Sequence, residues 1–183
     1  MTFQNVRPCS DKEVILTFLG FESAKPHGDH FDRLLREVAG LPIEIIRARV
    51  RAFGEQHNNG SPLFPYTVGH FNDERFRSTQ RWVRATVELA RIYSCGINPV
   101  TMQEHLQMVR GNLLAFTRQF AGQHPEFRLR GPPPPEALRL IIGIARCNDG
   151  KDGDVELIDG AHRAISLLHH GITSCEGVIA QLK

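Results

Sequence analysis

Val155-Glu156-Leu157-Ile158-Asp159-Gly160-Ala161-His162-Arg163-Ala164-Ile165-Ser166-Leu167-Leu168-His169-His170-Gly171 decides how the rest of this chain is read. Val155, Leu157 and Ile158 favour a strand, and Asp159-Gly160 is a turn signal. Ala164, Ile165, Leu167 and Leu168 then recur at helical spacing, and Gly171 stands where a helix-ending glycine belongs. The expected unit is strand, tight turn, helix. Gly160 lets backbone approach a ligand closely because no Cβ stands in the way. The first amides of the following helix lack intrahelical partners and carry partial positive charge, which suits a phosphate. His162 and Arg163 add side-chain donors, and a guanidinium can grip a phosphate with two parallel bonds.

Leu157 to Arg163, with the helix after it, resembles the phosphate-binding motif of the ParB/sulfiredoxin-like fold. That group includes partition proteins that bind CTP, sulfiredoxins that use ATP, and kinases that phosphorylate free serine. The resemblance covers residues 138–182. A fainter echo lies in Leu89 to Val100, where partition-type members have a helix, a glycine and a strand opening near a proline. Ala161 stands where sulfiredoxins carry their reactive cysteine, which argues against sulfinic acid reduction. Partition proteins have arginine at the His162 position and usually an acid at the Ala161 position, which argues against their CTPase chemistry. The Asp-Gly-x-His-Arg form is closest to the serine-kinase branch, although that branch often has another histidine where Ala161 stands.

The resemblance implies an α/β fold, a small mixed sheet with flanking helices over 136–183; the chain's own pattern puts before it a mainly helical lobe over 1–131, either separate, lending strands to the sheet, or continuous with it. It implies a nucleotide-dependent phosphotransferase, using ATP or another nucleotide with Mg²⁺, acting on a small hydroxyl-bearing metabolite such as a serine-like amino acid. Gly160, Ala161, His162 and Arg163 would hold phosphate. His162 and Asp159 would serve the chemistry, with Asp159 also orienting the turn or helping to hold Mg²⁺. A carboxylate must accept the hydroxyl proton, and Glu13, Glu22, Glu44, Asp73 and Glu74 are the candidates. The rival is a ParB-like module that binds a nucleotide or DNA without catalysis. A third reading is a degenerate member that uses the fold as a scaffold. No helix-turn-helix pattern follows the motif before Lys183.

With 183 residues the chain can bury a real core. Its net charge of +2 gives no strong overall pull toward nucleic acid. Arginines crowd the first half, among them Arg47, Arg49, Arg51, Arg75, Arg77, Arg81, Arg84 and Arg91. Asp149, Asp152, Asp154, Glu156 and Asp159 crowd the approach to the motif. A solvated helix face is the simpler reading of Arg75 to Arg91 than a nucleic-acid patch. No apolar run is long enough for a transmembrane helix, and Met1 to Ser10 lacks the apolar core of a secretory signal. The four cysteines, Cys9, Cys95, Cys147 and Cys175, form no CxxC pair, so a cytoplasmic protein with reduced thiols and no zinc is expected. His169-His170 reads as a helix-terminal pair favoured by the dipole.

Elsewhere, Glu13 to Leu19 is an apolar run that fits a buried strand. Asp29 is expected to cap a helix through Ala39, with Phe31, Leu34, Leu35 and Val38 on one face and Gly40 as the stop. Leu41 to Gly54 is expected as a helix, although Ile46 to Ala52 alternates as a strand would. A loop over 57–71 precedes a long helix from Asn72 or Asp73 to about Ser94. Thr101 and Glu104 form a capping box for a helix through about Ala121. Pro132-Pro133-Pro134-Pro135 is a stiff spacer between a helical front and a β-rich back. Leu138 to Ala145 reads as a strand, Asn148 to Gly153 as a hairpin turn, and Gly177 to Leu182 as a closing strand.

Overall fold

The structure, a computed structural model, describes residues 3–24, 28–57, 79–93, 100–111, 139–145 and 154–182. Among them it is a mixed α/β protein with a six-stranded sheet and five helices. In chain order these are β1 (Gln4–Cys9), α1 (Asp11–Ser23), α2 (Asp29–Val38), α3 (Ile43–His57), β2 (Thr79–Glu88), β3 (Ile92–Tyr93), α4 (Met102–Gly111), β4 (Leu140–Ala145), β5 (Val155–Asp159), α5 (Ala161–His169) and β6 (Ser174–Leu182). A single 3₁₀ turn, Leu89–Arg91, joins β2 to β3.

The strand order is β1-β2-β6-β4-β5-β3. β1, β2 and β6 pair antiparallel, β6 and β4 run parallel, β4 and β5 are antiparallel, and β5 and β3 are parallel. Strands from before and after residue 131 therefore share one sheet. Successive strand side chains point to opposite faces, so each strand can serve two cores. Trp82, Ile142, Val178 and Ala180 pack with Val14, Phe18, Leu34, Val38, Ile46 and Val50 of α1, α2 and α3. Val83, Val87, Ile141, Leu157 and Ile179 pack with Met102 and Leu106 of α4 and Ala164, Ile165 and Leu167 of α5. The sheet is thus sandwiched between helical layers.

Two expectations are corrected. Glu13 to Leu19 is not a strand but the heart of α1. Ser10 accepts a hydrogen bond from the Glu13 amide, while Glu13 accepts one from the Ser10 amide, and this capping box starts a helix. Val14, Ile15, Phe18, Leu19 and Phe21 are all buried, so the apolar run is a helix covered on most sides rather than a strand. The long helix expected to Ser94 is replaced, from Thr79 on, by β2 and β3. Val83 and Val87 are four apart, which satisfies a helical period and a strand period alike. Trp82, Val83, Ala85 and Val87 are buried on both faces of a strand flanked by β1 and β6, and β-branched Val83, Thr86 and Val87 suit that setting. The helical part of the echo at Leu89 to Val100 is likewise only the 3₁₀ turn.

Other expectations hold. α2 runs Asp29–Val38 with Leu34 and Val38 buried and Phe31 and Leu35 half-buried, but Asp29 does not cap it: the N-cap is Gly28, no side chain caps the start, and Asp29 lies in the first turn. α3 settles the alternating stretch as helix, burying Ile46 and Val50 and exposing Arg47, Arg49 and Arg51. Arg47 pairs with Asp11 of α1. The Thr101–Glu104 capping box forms and opens α4, which is described to Gly111. β4, β5 and β6 lie where strands were expected, and the antiparallel β4–β5 register is that of a hairpin. The loop from 58, the start of the expected helix at 72–78, its end at 94, the remainder of the helix to 121, the four prolines and the turn over 148–153 lie outside the described residues. So do Cys95, Cys147, Asp73, Glu74, Arg75 and Arg77.

Candidate functional site at the start of α5

β5 ends at Asp159, which is in register with Ile142 of β4. One residue later the chain turns into α5 through Gly160, whose φ is +102° and ψ 19°. That left-handed backbone strains any residue with a Cβ. A Cβ here would also lie 3.0 Å from Arg163 Nη2, 3.1 Å from Arg163 Nε and 3.0 Å from Ile141 Cγ2. Gly160 is thus required twice, for the turn and for the guanidinium laid against it.

The Ala164 amide donates to the Gly160 carbonyl at 2.9 Å and closes the first helical turn. The amides of Ala161, His162 and Arg163 stand before that bond, and no side chain caps them at Gly160. The other end of α5 is fully closed. The Gly171 amide donates to Leu168 and the Ile172 amide to Leu167, each at 3.0 Å, with Gly171 at φ +75°. This is a Schellman motif, as the glycine position implies. The His169 and His170 rings meet edge to face beside it, 5.3 Å between centroids.

Arg163 is the surprise of the turn. It is 4 % exposed. Its Nη2 donates to Asp159 Oδ2 at 2.7 Å, and its guanidinium carbon stands 3.8 Å from the centre of the Phe21 ring on α1. A cation over an aromatic face is attracted by the ring quadrupole. Arg163 Nε is buried without a hydrogen-bond partner, as is Ser166 Oγ one turn along the helix. Arg163 therefore ties the end of β5 and the start of α5 to the helix on the opposite side of the sheet. Phe21 is the residue of this cluster that sequence reasoning missed, because nothing local links it to the turn.

Asp159, Ala161 and His162 are half-buried and sit at the mouth of the turn, while Gly160 and Arg163 are buried beneath it. Asp159 shares its charge with Arg163, and among the described residues no three His, Cys, Asp or Glu side chains are grouped to hold a metal. A lone carboxylate already neutralised by a guanidinium does not fit Mg²⁺ well. Cys175, on β6, feels the Arg163 charge, which favours its thiolate, but burial dominates and pushes the thiol up to about 12. It stays protonated and inert at neutral pH. Burial likewise raises Cys9 to about 11, with Glu13 adding to the effect.

The candidate proton acceptors separate by position. Glu13 is committed to Ser10, whose amide and hydroxyl hold its carboxyl below the usual range and make it a weak base. Glu44 is exposed in the first turn of α3. Glu22 directly follows Phe21, so α1 brings its backbone beside the turn. The arginines expected on a helix face are instead dispersed. Arg91 donates to Asp154 at 2.9 Å, Arg84 lies 3.7 Å from Glu176, and Arg81 is exposed on β2.

No helix among the described residues is long and apolar enough to cross a membrane. Compared with protein-family models, curated proteins and solved structures, the chain finds no match.

Proposed function

We propose that the chain is a nucleotide-binding protein of the ParB/sulfiredoxin-like kind, which holds a phosphate group at Gly160–Arg163 and passes a phosphoryl group to the hydroxyl of a small metabolite. The observation that carries this reading is the open start of α5. Three consecutive amides sit at the positive end of a helix, reached through a left-handed glycine, with no capping side chain in the way. The resemblance of Leu157 to Arg163 to a phosphate-binding motif supports it.

The amides of Ala161 and His162 and the His162 side chain would meet the phosphate. Arg163, turned inward, is a positioning residue that fixes Asp159 and the turn. In the transfer, the acceptor oxygen bonds to the terminal phosphorus, the bond from that phosphorus to the departing nucleotide breaks, and the hydroxyl proton passes to a carboxylate. Glu22 is the best placed of the described candidates. Among the described residues no group of His, Cys, Asp or Glu side chains is assembled to hold Mg²⁺, and Asp159 is engaged by Arg163. Asp159 and Arg163 are engaged with each other, so the turn offers an incoming phosphate little charged side-chain chemistry, which favours the non-catalytic nucleotide-binding module as the second reading.

Thermal unfolding with ATP, ADP, CTP and GTP, each with and without Mg²⁺, tests the binding. A true ligand at a hundred times its dissociation constant stabilises by about 2.7 kcal/mol. No stabilisation by any of the four overturns the proposal. Binding without turnover on a panel of hydroxy-acids and amino acids selects the second reading. If turnover occurs, His162→Ala should lower it more than it lowers binding, because charge on the transferred group grows in the transition state. Equal turnover in His162→Ala and the unaltered protein removes His162 from the chemistry.

A further inference from the structure

Phe21 lies in the last turn of α1, shortly before the C-cap Ala24. It is 8 % exposed and belongs to the core that α1, α2 and α3 form on one side of the sheet. α5 packs into the other core through Ala164, Ile165 and Leu167. The Arg163 guanidinium reaches from α5 to the Phe21 ring, so the contact joins two layers that the sheet otherwise separates.

The guanidinium is a flat group with its donors in one plane. Asp159 Oδ2 accepts from Nη2 and fixes the position of that corner. One hydrogen bond leaves the plane free to tilt about it. Nε is buried and makes no hydrogen bond, so it does not set the tilt either. What remains is the ring, 3.8 Å from the guanidinium carbon, which attracts the cation to its face. The tilt matters because Gly160 lies directly against the group. A Cβ there would stand 3.0 Å from Nη2 and 3.1 Å from Nε, so there is no slack between the guanidinium and the turn. The open amides of Ala161 and His162 follow Gly160 in the chain.

We propose that Phe21 is a positioning residue of the anion site at the start of α5. It acts through Arg163, whose guanidinium it holds against Asp159 and Gly160, and so aims the Ala161 and His162 amides. The proposal rests on the reading that those amides hold a phosphate. A site is only as well placed as the packing behind it. Leucine at this position would fill much of the space but offer the cation no negative face. Coupling of this kind is reciprocal, so a bound anion must in turn steady Phe21 and the end of α1.

Calorimetric titration of the full chain with ATP, CTP and inorganic phosphate tests this. Phe21→Leu should weaken the binding of whichever probe binds by roughly fivefold, and Phe21→Tyr, which keeps the ring, should restore most of it. Val38→Ala, in the same core but on α2, should lower stability and leave affinity unchanged. In the unaltered protein the bound probe should shift the Phe21 ring signals in NMR and slow hydrogen exchange at the Phe21 to Ser23 amides, a readout that stands even if Phe21→Leu fails to fold. No binding of any probe to the unaltered protein overturns the phosphate reading and this proposal with it. Binding that Phe21→Leu leaves unchanged, that Phe21→Tyr weakens as much, or that Val38→Ala weakens equally overturns the role of Phe21 alone, as does a bound probe that leaves the Phe21 signals unmoved.

Discussion

α1 and α5 both begin one residue after a β-strand, and they begin in opposite ways. Between β1 and α1 stands Ser10, in extended backbone at φ −84°, with its hydroxyl accepting from the Glu13 amide and the Glu13 carboxylate returning the bond. Between β5 and α5 stands Gly160, left-handed at φ +102°, with no cap. The positive end of α1 is satisfied by its own side chains. At α5 the side chain that could have served as an anion partner, Asp159, is drawn into an ion pair with Arg163 instead. α4 repeats the closed pattern through Thr101 and Glu104. α2 also starts without a cap, at Gly28, so the missing cap alone does not single out α5. What sets α5 apart is that its uncapped start follows a left-handed glycine at the end of a strand, and the proposed phosphate site rests on that combination.

The sharpest way to break the comparison is Arg163→Ala. It removes a 4 % exposed guanidinium, takes that guanidinium away from the Asp159 carboxylate and leaves a void over Phe21. Breaking a buried pair from one side costs about 3 kcal/mol or more, and denaturant unfolding should show that loss. Arg163→Lys keeps the charge without the planar fork and should recover only part of it. Wild-type stability in Arg163→Ala would mean that the guanidinium does not brace the turn, and Arg163 would return to the role of a phosphate ligand.

Gly160→Ala comes next. Left-handed backbone costs a residue with a Cβ about 2 kcal/mol, and the added methyl would stand 3.0 Å from both Arg163 Nη2 and Ile141 Cγ2. The matching change, Ser10→Gly, should cost only about a few tenths of a kcal/mol, because extended backbone makes no such demand. Equal costs at the two junctions would show that Gly160 is merely a convenient link.

The turn was legible in the sequence because its signals are local. A β-rich run, Asp159-Gly160, helical spacing and Gly171 all lie within one short stretch, and β5, α5 and the Schellman end follow from them. The Thr101–Glu104 box was legible for the same reason. The Ser10–Glu13 box is just as local, yet the apolar run after it outweighed it, because Val14 to Phe21 is buried on too many sides to show a stripe. β2 was hidden by a numerical coincidence, since Val83 and Val87 fit both periods and only partner strands decide between them. The inward course of Arg163 depends on Phe21, which no spacing announces. Its other half, the four-residue step from Asp159 to Arg163, was visible but reads as a helix-surface pair only when both residues are helical.

The smallest expected effect sharpens the closed side of the comparison. Ser10→Ala removes the hydroxyl that satisfies the Glu13 amide and should cost about 1 kcal/mol at neutral pH. Its pH dependence follows from Glu13. Hydrogen bonds from the Ser10 amide and hydroxyl favour the carboxylate and lower its pKa in the folded protein. A lowered folded pKa means that the unfolded chain takes up the proton first as the solution is acidified. The Glu13 contribution is therefore complete above the ordinary glutamate range, around pH 4.3, and is lost as pH falls through the lower folded value. Glu13→Gln, which keeps an acceptor but never a charge, should be less stable than the unaltered protein at pH 7 and converge on it in acid. Unfolding of the two proteins followed from pH 7 into the acid range measures this directly. A gap that stays constant would show that the box acts through helix geometry alone, and that an ionised side chain contributes nothing at the closed end to set against the open amides of α5.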